Sequence, residues 1–260
     1  NLLAARAQMA ASLGFHIVFA AIGVAMPFLM ATAHYKWLRS GDPVYLRLTK
    51  AWSKGVAILF ATGAVSGTVL SFELGLLWPG FMQHAGAIIG MPFSWEGAAF
   101  FLEAIAIGIF LYGWDRLPRW LHFASGVLVG VSGIFSALFV ICANGWMNSP
   151  AGFRWVAGHA VDIDPWAAMW NRAALGEGIH MCIAAFVATG VAASGLHAFG
   201  LYKDRDSALH RAALRIALGF AAVAALLQPI HGDRLAKSVA VRQPVKLAAM
   251  EALFETAAPA

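Results

Sequence analysis

Two carboxylates stand where hydrocarbon-compatible residues are expected: Glu96 and Glu103, inside an apolar run from Phe93 to Trp114. An acid at bilayer depth costs on the order of a few kcal/mol, so such residues face a bundle interior, a partner or a water-filled path. Their i, i+7 spacing puts both on one helix face, roughly 10 Å apart along the axis at about 1.5 Å per residue. That distance allows proton transfer through a water between them, but not direct sharing of a proton. The competing expectation is structural, each acid paired with a cation on a neighbouring helix.

Two histidines have the same character. His16 lies about two turns into the first apolar run and His180 about two turns into the fifth. Neutral imidazole is a common axial ligand of haem iron, and helix-borne histidines inside bundles hold b-type haems. Structurally, such a histidine would instead bond a backbone carbonyl or a serine of the next helix. Glu73, near the end of the second run, falls in the same layer as His16, His180 and Glu96. Of the others, His34, His122 and His210 are expected to flank helices, His84 and His159 to lie in loops, and His197 to sit at an interface.

These residues need a membrane bundle to position them. The 260 residues are 60% hydrophobic and 12% charged, against about 25% charged in a soluble domain. Six runs are long enough to cross about 30 Å of hydrocarbon, which takes about 20 residues each: Met9 to Thr32, Gly55 to Leu77, Phe93 to Trp114, Leu121 to Ala143, Ala173 to Phe199 and Ala212 to Ile230. The expected fold is all-α, a polytopic transmembrane helix bundle. Pro27 is expected to kink the first helix. Cys142 and Cys182 fall inside apolar runs and read as packing residues, and no CxxCH motif for covalent haem occurs.

Lys36, Arg39, Arg47, Lys50 and Lys54 lie in the first loop, Arg116 and Arg119 in the third, and Lys203, Arg205, Arg211 and Arg215 in the fifth. The positive-inside rule makes those loops cytoplasmic and puts the N-terminus outside. The net charge of +5 therefore reflects topology, and no nucleic-acid partner is expected. The segment with Arg234, Lys237, Arg242 and Lys246 is then outside despite its charge, as a segment serving a site would be. No cleavable signal peptide is visible, and the chain is expected to continue beyond both Asn1 and Ala260.

Several stretches resemble subunit I of the cytochrome bd family of quinol oxidases: Arg6-Ala7-Gln8-Met9 with His16; Trp95-Glu96-Gly97 and Phe100-Phe101-Leu102-Glu103; Gly113-Trp114-Asp115-Arg116; Asn144-Gly145-Trp146-Met147 with Pro150; Gly232-Asp233; and Gln243-Pro244, Lys246 and Ala248-Ala249-Met250-Glu251. The resemblance runs in order through the whole chain. It implies a terminal respiratory oxidase of the bacterial cytoplasmic membrane that oxidises ubiquinol or menaquinol and reduces dioxygen to water with protons from the cytoplasm. His16 is then a high-spin haem ligand and His180 the low-spin haem b ligand. The high-spin pair is a haem b with either haem d or a further haem b. Glu96 lies by the oxygen-reducing haem, Glu103 on its proton supply, and Gln243, Lys246 and Glu251 at the quinol. Residues 1–230 would form the haem-binding bundle and 231–260 the start of a periplasmic quinol-binding loop. Implied partners are membrane lipid, a second large membrane subunit and a small single-helix subunit. A dihaem b-type quinone dehydrogenase anchor and a haem-free proton or ion transporter are the alternative classes.

Overall fold

The computed structural model describes residues 1–253 and 255. The expected loop positions at 254 and 256–260 lie outside the described residues. The six expected crossings are six long helices: α1 (Leu2–Ser40), α2 (Pro43–Leu77), α3 (Pro79–Tyr112), α4 (Arg119–Asn148), α6 (Ala174–Lys203) and α7 (Ala208–Arg242). A hairpin of β1 (Arg154–Val156) and β2 (His159–Val161) and the short helix α5 (Pro165–Met169) lie between α4 and α6, and α8 (Pro244–Met250) follows α7.

Local chemistry explains the ends. Asp42 caps α2, its side chain accepting from the Val44 N–H with Pro43 at the first helical position. Gly41 closes α1 in the left-handed conformation, φ 70°, that glycine adopts without steric cost. Asp164 accepts from the Trp166 and Ala167 N–H groups and starts α5.

Two details differ from the sequence expectation. The stretch 79–92 is helix rather than loop: only Trp78 separates α2 from α3, because Pro79 starts a new helix at once and Pro92 is carried inside it. His84 is thus on α3. Helix α7 continues to Arg242, so Gly232 and Asp233 are helical and the chain leaves the helix only at Gln243.

Antiparallel neighbours pack in pairs, α1 on α2, α3 on α4 and α6 on α7, with α1 and α4 also meeting α6. The main core, with Leu29, Met30, Leu48, Trp52, Phe110, Val129 and Ile216, lies toward the end carrying the basic loops. A second cluster around Ile88, Ile89, Ala143 and Trp146 closes the opposite, Asn1-bearing end of α3 and α4. Small residues allow the close approach: a Cβ at Gly190 would meet the Ala221 backbone N at 2.9 Å, and one at Gly130 the Phe28 ring at 2.7 Å.

Candidate functional site

The α1–α2 interface carries a polar seam. Gln8, Ser12 and His16 recur every four residues on one face of α1. Facing them on antiparallel α2 are Glu73 and Ser66, seven residues apart and so also on one face. Gln8 Nε2 and Ser12 Oγ donate to Glu73 Oε1 at 3.0 and 2.8 Å, which makes this buried carboxylate tolerable at its depth.

Further in, His16 Nδ1 lies 2.9 Å from Ser66 Oγ. The single hydroxyl proton of Ser66 points back along its own helix, to the carbonyls of Thr62 at 2.9 Å and Gly63 at 3.1 Å. When that proton goes to its own helix, Ser66 Oγ accepts from His16 Nδ1–H. This leaves the lone pair on Nε2, the tautomer a metal-ligating histidine requires, with its other nitrogen held by an oriented acceptor. Gly67 keeps the ring's place open, since a Cβ there would lie 3.1 Å from His16 Cε1.

Helices α3 and α4 place the two glutamates. Glu103 is 8% exposed and lies over Gly133, where a Cβ would sit 3.5 Å from its Oε1. Glu96, half-buried, accepts from Ser136 Oγ at 3.3 Å. Gly133 and Ser136 are one turn apart, so a single face of α4 receives both acids in antiparallel order. The charged group acting on Glu103 is Glu96 itself. The ion pairs among the described residues join Arg154 to Asp162, Arg211 to Asp206 and Lys237 to Asp233. Neither membrane glutamate has the cation that the structural expectation required.

His180 meets α7. Gln228 Nε2 lies 3.0 Å from His180 Nε2, and the His231 ring is 5.8 Å away, centroid to centroid. A Cβ at Gly232 would be 3.5 Å from His180 Cε1, so α7 packs close against this side of the ring. Gln228 Oε1 and His231 Nδ1 are buried without a partner. Orphaned polar atoms beside an axial-type histidine suit a group with polar edges. A ligand on His180 Nε2 would displace the Gln228 amide, which then has its own carbonyl oxygen free to turn.

The segment after α7 folds back onto α4. Gln243 Nε2 donates to the Asn148 carbonyl at 2.8 Å, and Lys246 Nζ donates to Asn148 Oδ1 at 3.2 Å. The Asn148 amide nitrogen is committed to the Asn144 carbonyl at 3.0 Å, which orients its oxygen toward Lys246. Glu251 follows α8, exposed and unpaired with Lys246, as the poor i, i+5 geometry implies.

Sequence reasoning passed over several residues. His231 was given no role, although it stands three residues beyond Gln228 and immediately before Gly232-Asp233. His34 and His122 are not helix flanks at the surface: both are buried, stacked among Trp37, Phe110, Trp114 and Phe123. His122 Nε2 donates to the Phe110 carbonyl at 2.7 Å, one of the last-turn carbonyls of α3 that lacks a helical donor. His197 is likewise buried, accepting from Trp52 Nε1 at 3.1 Å and donating from Nδ1 to His210 Nδ1 at 2.8 Å. That direction follows because the indole is a donor only.

Fold and site together define a polytopic helix-bundle membrane protein with histidines and acids on the facing sides of its helices. The family model for cytochrome bd terminal oxidase subunit I matches residues 4–260, and the chain belongs to that family. A Bacillus subtilis protein named putative cytochrome bd menaquinol oxidase subunit I is 33% identical over 98% of this chain and 59% of its own length. The cytochrome bd-II ubiquinol oxidase subunit 1 of Escherichia coli is 31% identical over 96% of this chain and 49% of its own length. The structure of bd oxidase from Geobacillus thermodenitrificans superposes with a TM-score of 0.93 at 36% identity, over 98% of this chain and 59% of that one. The chain thus spans about half to three fifths of the length of these relatives.

Proposed function

We propose that this chain belongs to a quinol:oxygen oxidoreductase of the bacterial cytoplasmic membrane, as a haem-carrying subunit with its N-terminus outside. The observation that supports the reading is His16 Nδ1 held 2.9 Å from Ser66 Oγ: with Nδ1–H donating there, Nε2 is left as a ligand atom. His16 holds a high-spin haem and His180 the low-spin haem b, the high-spin pair being completed by haem d or a further haem b. When bound, these groups supply electron transfer and the reduction of dioxygen.

The chain's own residues supply positions and protons. Lys246, fixed by Asn148, donates to a quinol oxygen, Gln243 pins the segment to α4, and Glu251 accepts a hydroxyl proton. On the other flank, Glu103 takes protons from the basic-loop end and passes them to Glu96 along the Gly133 and Ser136 face. The relatives are named for menaquinol and for ubiquinol, and either headgroup offers the hydroxyl this site addresses. The exposed apolar faces of the six helices meet lipid, a second large membrane subunit and a small single-helix subunit.

A reduced-minus-oxidised absorption spectrum of the assembled protein tests this reading. Low-spin b bands with an added high-spin or chlorin band are expected. Absence of haem bands would refute it in favour of a transporter, and low-spin b bands alone in favour of an anchor.

A further inference from the structure

Quinol oxidation releases two protons, yet the reading above, on which this inference rests, names a single acceptor, Glu251. The structure holds a second carboxylate beside the same cations. Glu177 is in the first turn of α6, three residues before His180, so it lies on the same helix face about 4.5 Å further out. Gly176 next to it packs on Leu235, where a Cβ would be 3.7 Å from Leu235 Cδ1. The turn therefore lies against α7 between His231 and Arg242.

Glu177 Oε2 is buried without a partner, and so is Nη1 of Arg242. Arg242 and Lys246 are the cations whose field acts on Glu177, yet neither closes to an ion pair with it. An orphaned acceptor and an orphaned donor on facing ends of α6 and α7 suit a group that can both donate and accept. A phenolic hydroxyl does both. Lys246, held by Asn148, lies close by on α8.

We propose that Glu177 is the second proton acceptor of the quinol site. In the balanced step, the two O–H bonds of the quinol break, one proton passes to Glu251 and the other to Glu177, and two electrons leave one after the other as the quinone forms, each to be taken up by a one-electron acceptor such as the haem that His180 would hold. Arg242 stabilises the phenolate as its proton departs, and both carboxylates then release their protons to water on the Asn1 side.

The test uses the assembled oxidase with its full-length chain and compares Glu177→Gln with Glu251→Gln. Rapid-mixing absorption follows low-spin haem reduction by a quinol and by tetramethyl-p-phenylenediamine, a one-electron donor that releases no proton. Glu177→Gln is expected to slow reduction by quinol on the order of a hundredfold, to leave reduction by the diamine unchanged, and to keep the affinity for a fluorescent hydroxyquinoline quinol analogue within threefold. Reduction by quinol at the wild-type rate would overturn the proposal, as would an equal loss with the diamine or collapse of analogue binding. If Glu251→Gln slows quinol alone while Glu177→Gln does not, only this inference fails. If neither variant slows it, the quinol-site reading fails with it.

Discussion

Replacing Ser66 by alanine isolates the orientation of His16. The substitution removes one oxygen from a helix interior where alanine is the best helix former, so α2 itself is not weakened. What is lost is the acceptor 2.9 Å from His16 Nδ1. The Nδ1–H would then be left in a half-buried setting without a partner, at a cost of about 1–3 kcal/mol. The same energy had held the ring with Nε2 free, so affinity for a ligated iron should fall roughly 10- to 100-fold, the range for losing such an outer-shell partner. Haem content per protein, measured as the pyridine haemochrome of the purified assembled oxidase, should drop with selective loss of the high-spin signal. Ser66→Thr, which keeps the oxygen, should retain it. Full haem content and an unchanged high-spin spectrum in Ser66→Ala would refute the tautomer argument, and with it the case that α2 presents His16 as a ligand.

Other expectations follow from the same geometry. Glu103→Ala should lower quinol oxidase turnover by on the order of a hundredfold with all haems retained, and wild-type turnover in an oxygen-electrode assay would remove it from the proton route. Asn148→Ala removes the side-chain oxygen that holds Lys246 and keeps the backbone carbonyl that holds Gln243; the KM for quinol should rise severalfold while kcat changes little, whereas an equal loss in kcat would show a different role. Gly190→Ala drives a Cβ into the Ala221 backbone and should cost about 1–3 kcal/mol by overpacking, seen as a lower thermal midpoint in detergent. Gly195→Ala, on the same helix with nothing within 4 Å, should instead stabilise by roughly 0.5–1 kcal/mol, and a midpoint shift of like sign in both variants would contradict the packing account.

The helices were legible because hydrocarbon imposes a length and a composition that few other environments require. Six apolar runs became six long helices, in order. Their ends were less legible: nothing in the hydropathy of 79–92 distinguishes a surface loop from a helix begun by Pro79, and α7 outruns its apolar portion because Gly232 to Arg242 keeps packing on α6 after leaving the hydrocarbon-like stretch.

For the site, residue type and spacing marked Glu96, Glu103, His16 and His180, since an ionisable group at membrane depth is costly wherever the helix places it. What residue type and spacing could not supply is the partner on the opposite helix. That Ser66 has already spent its proton on Thr62, that Gly133 makes room for Glu103, and that Gln228 and His231 surround His180 are consequences of interhelical register. Register is set by how small residues on facing helices interlock, a relation between distant positions that no single apolar run contains. The same holds for Glu177, an unremarkable acid at a helix start in the sequence. Only the fold sets it one turn from His180 and beside Arg242 and Lys246.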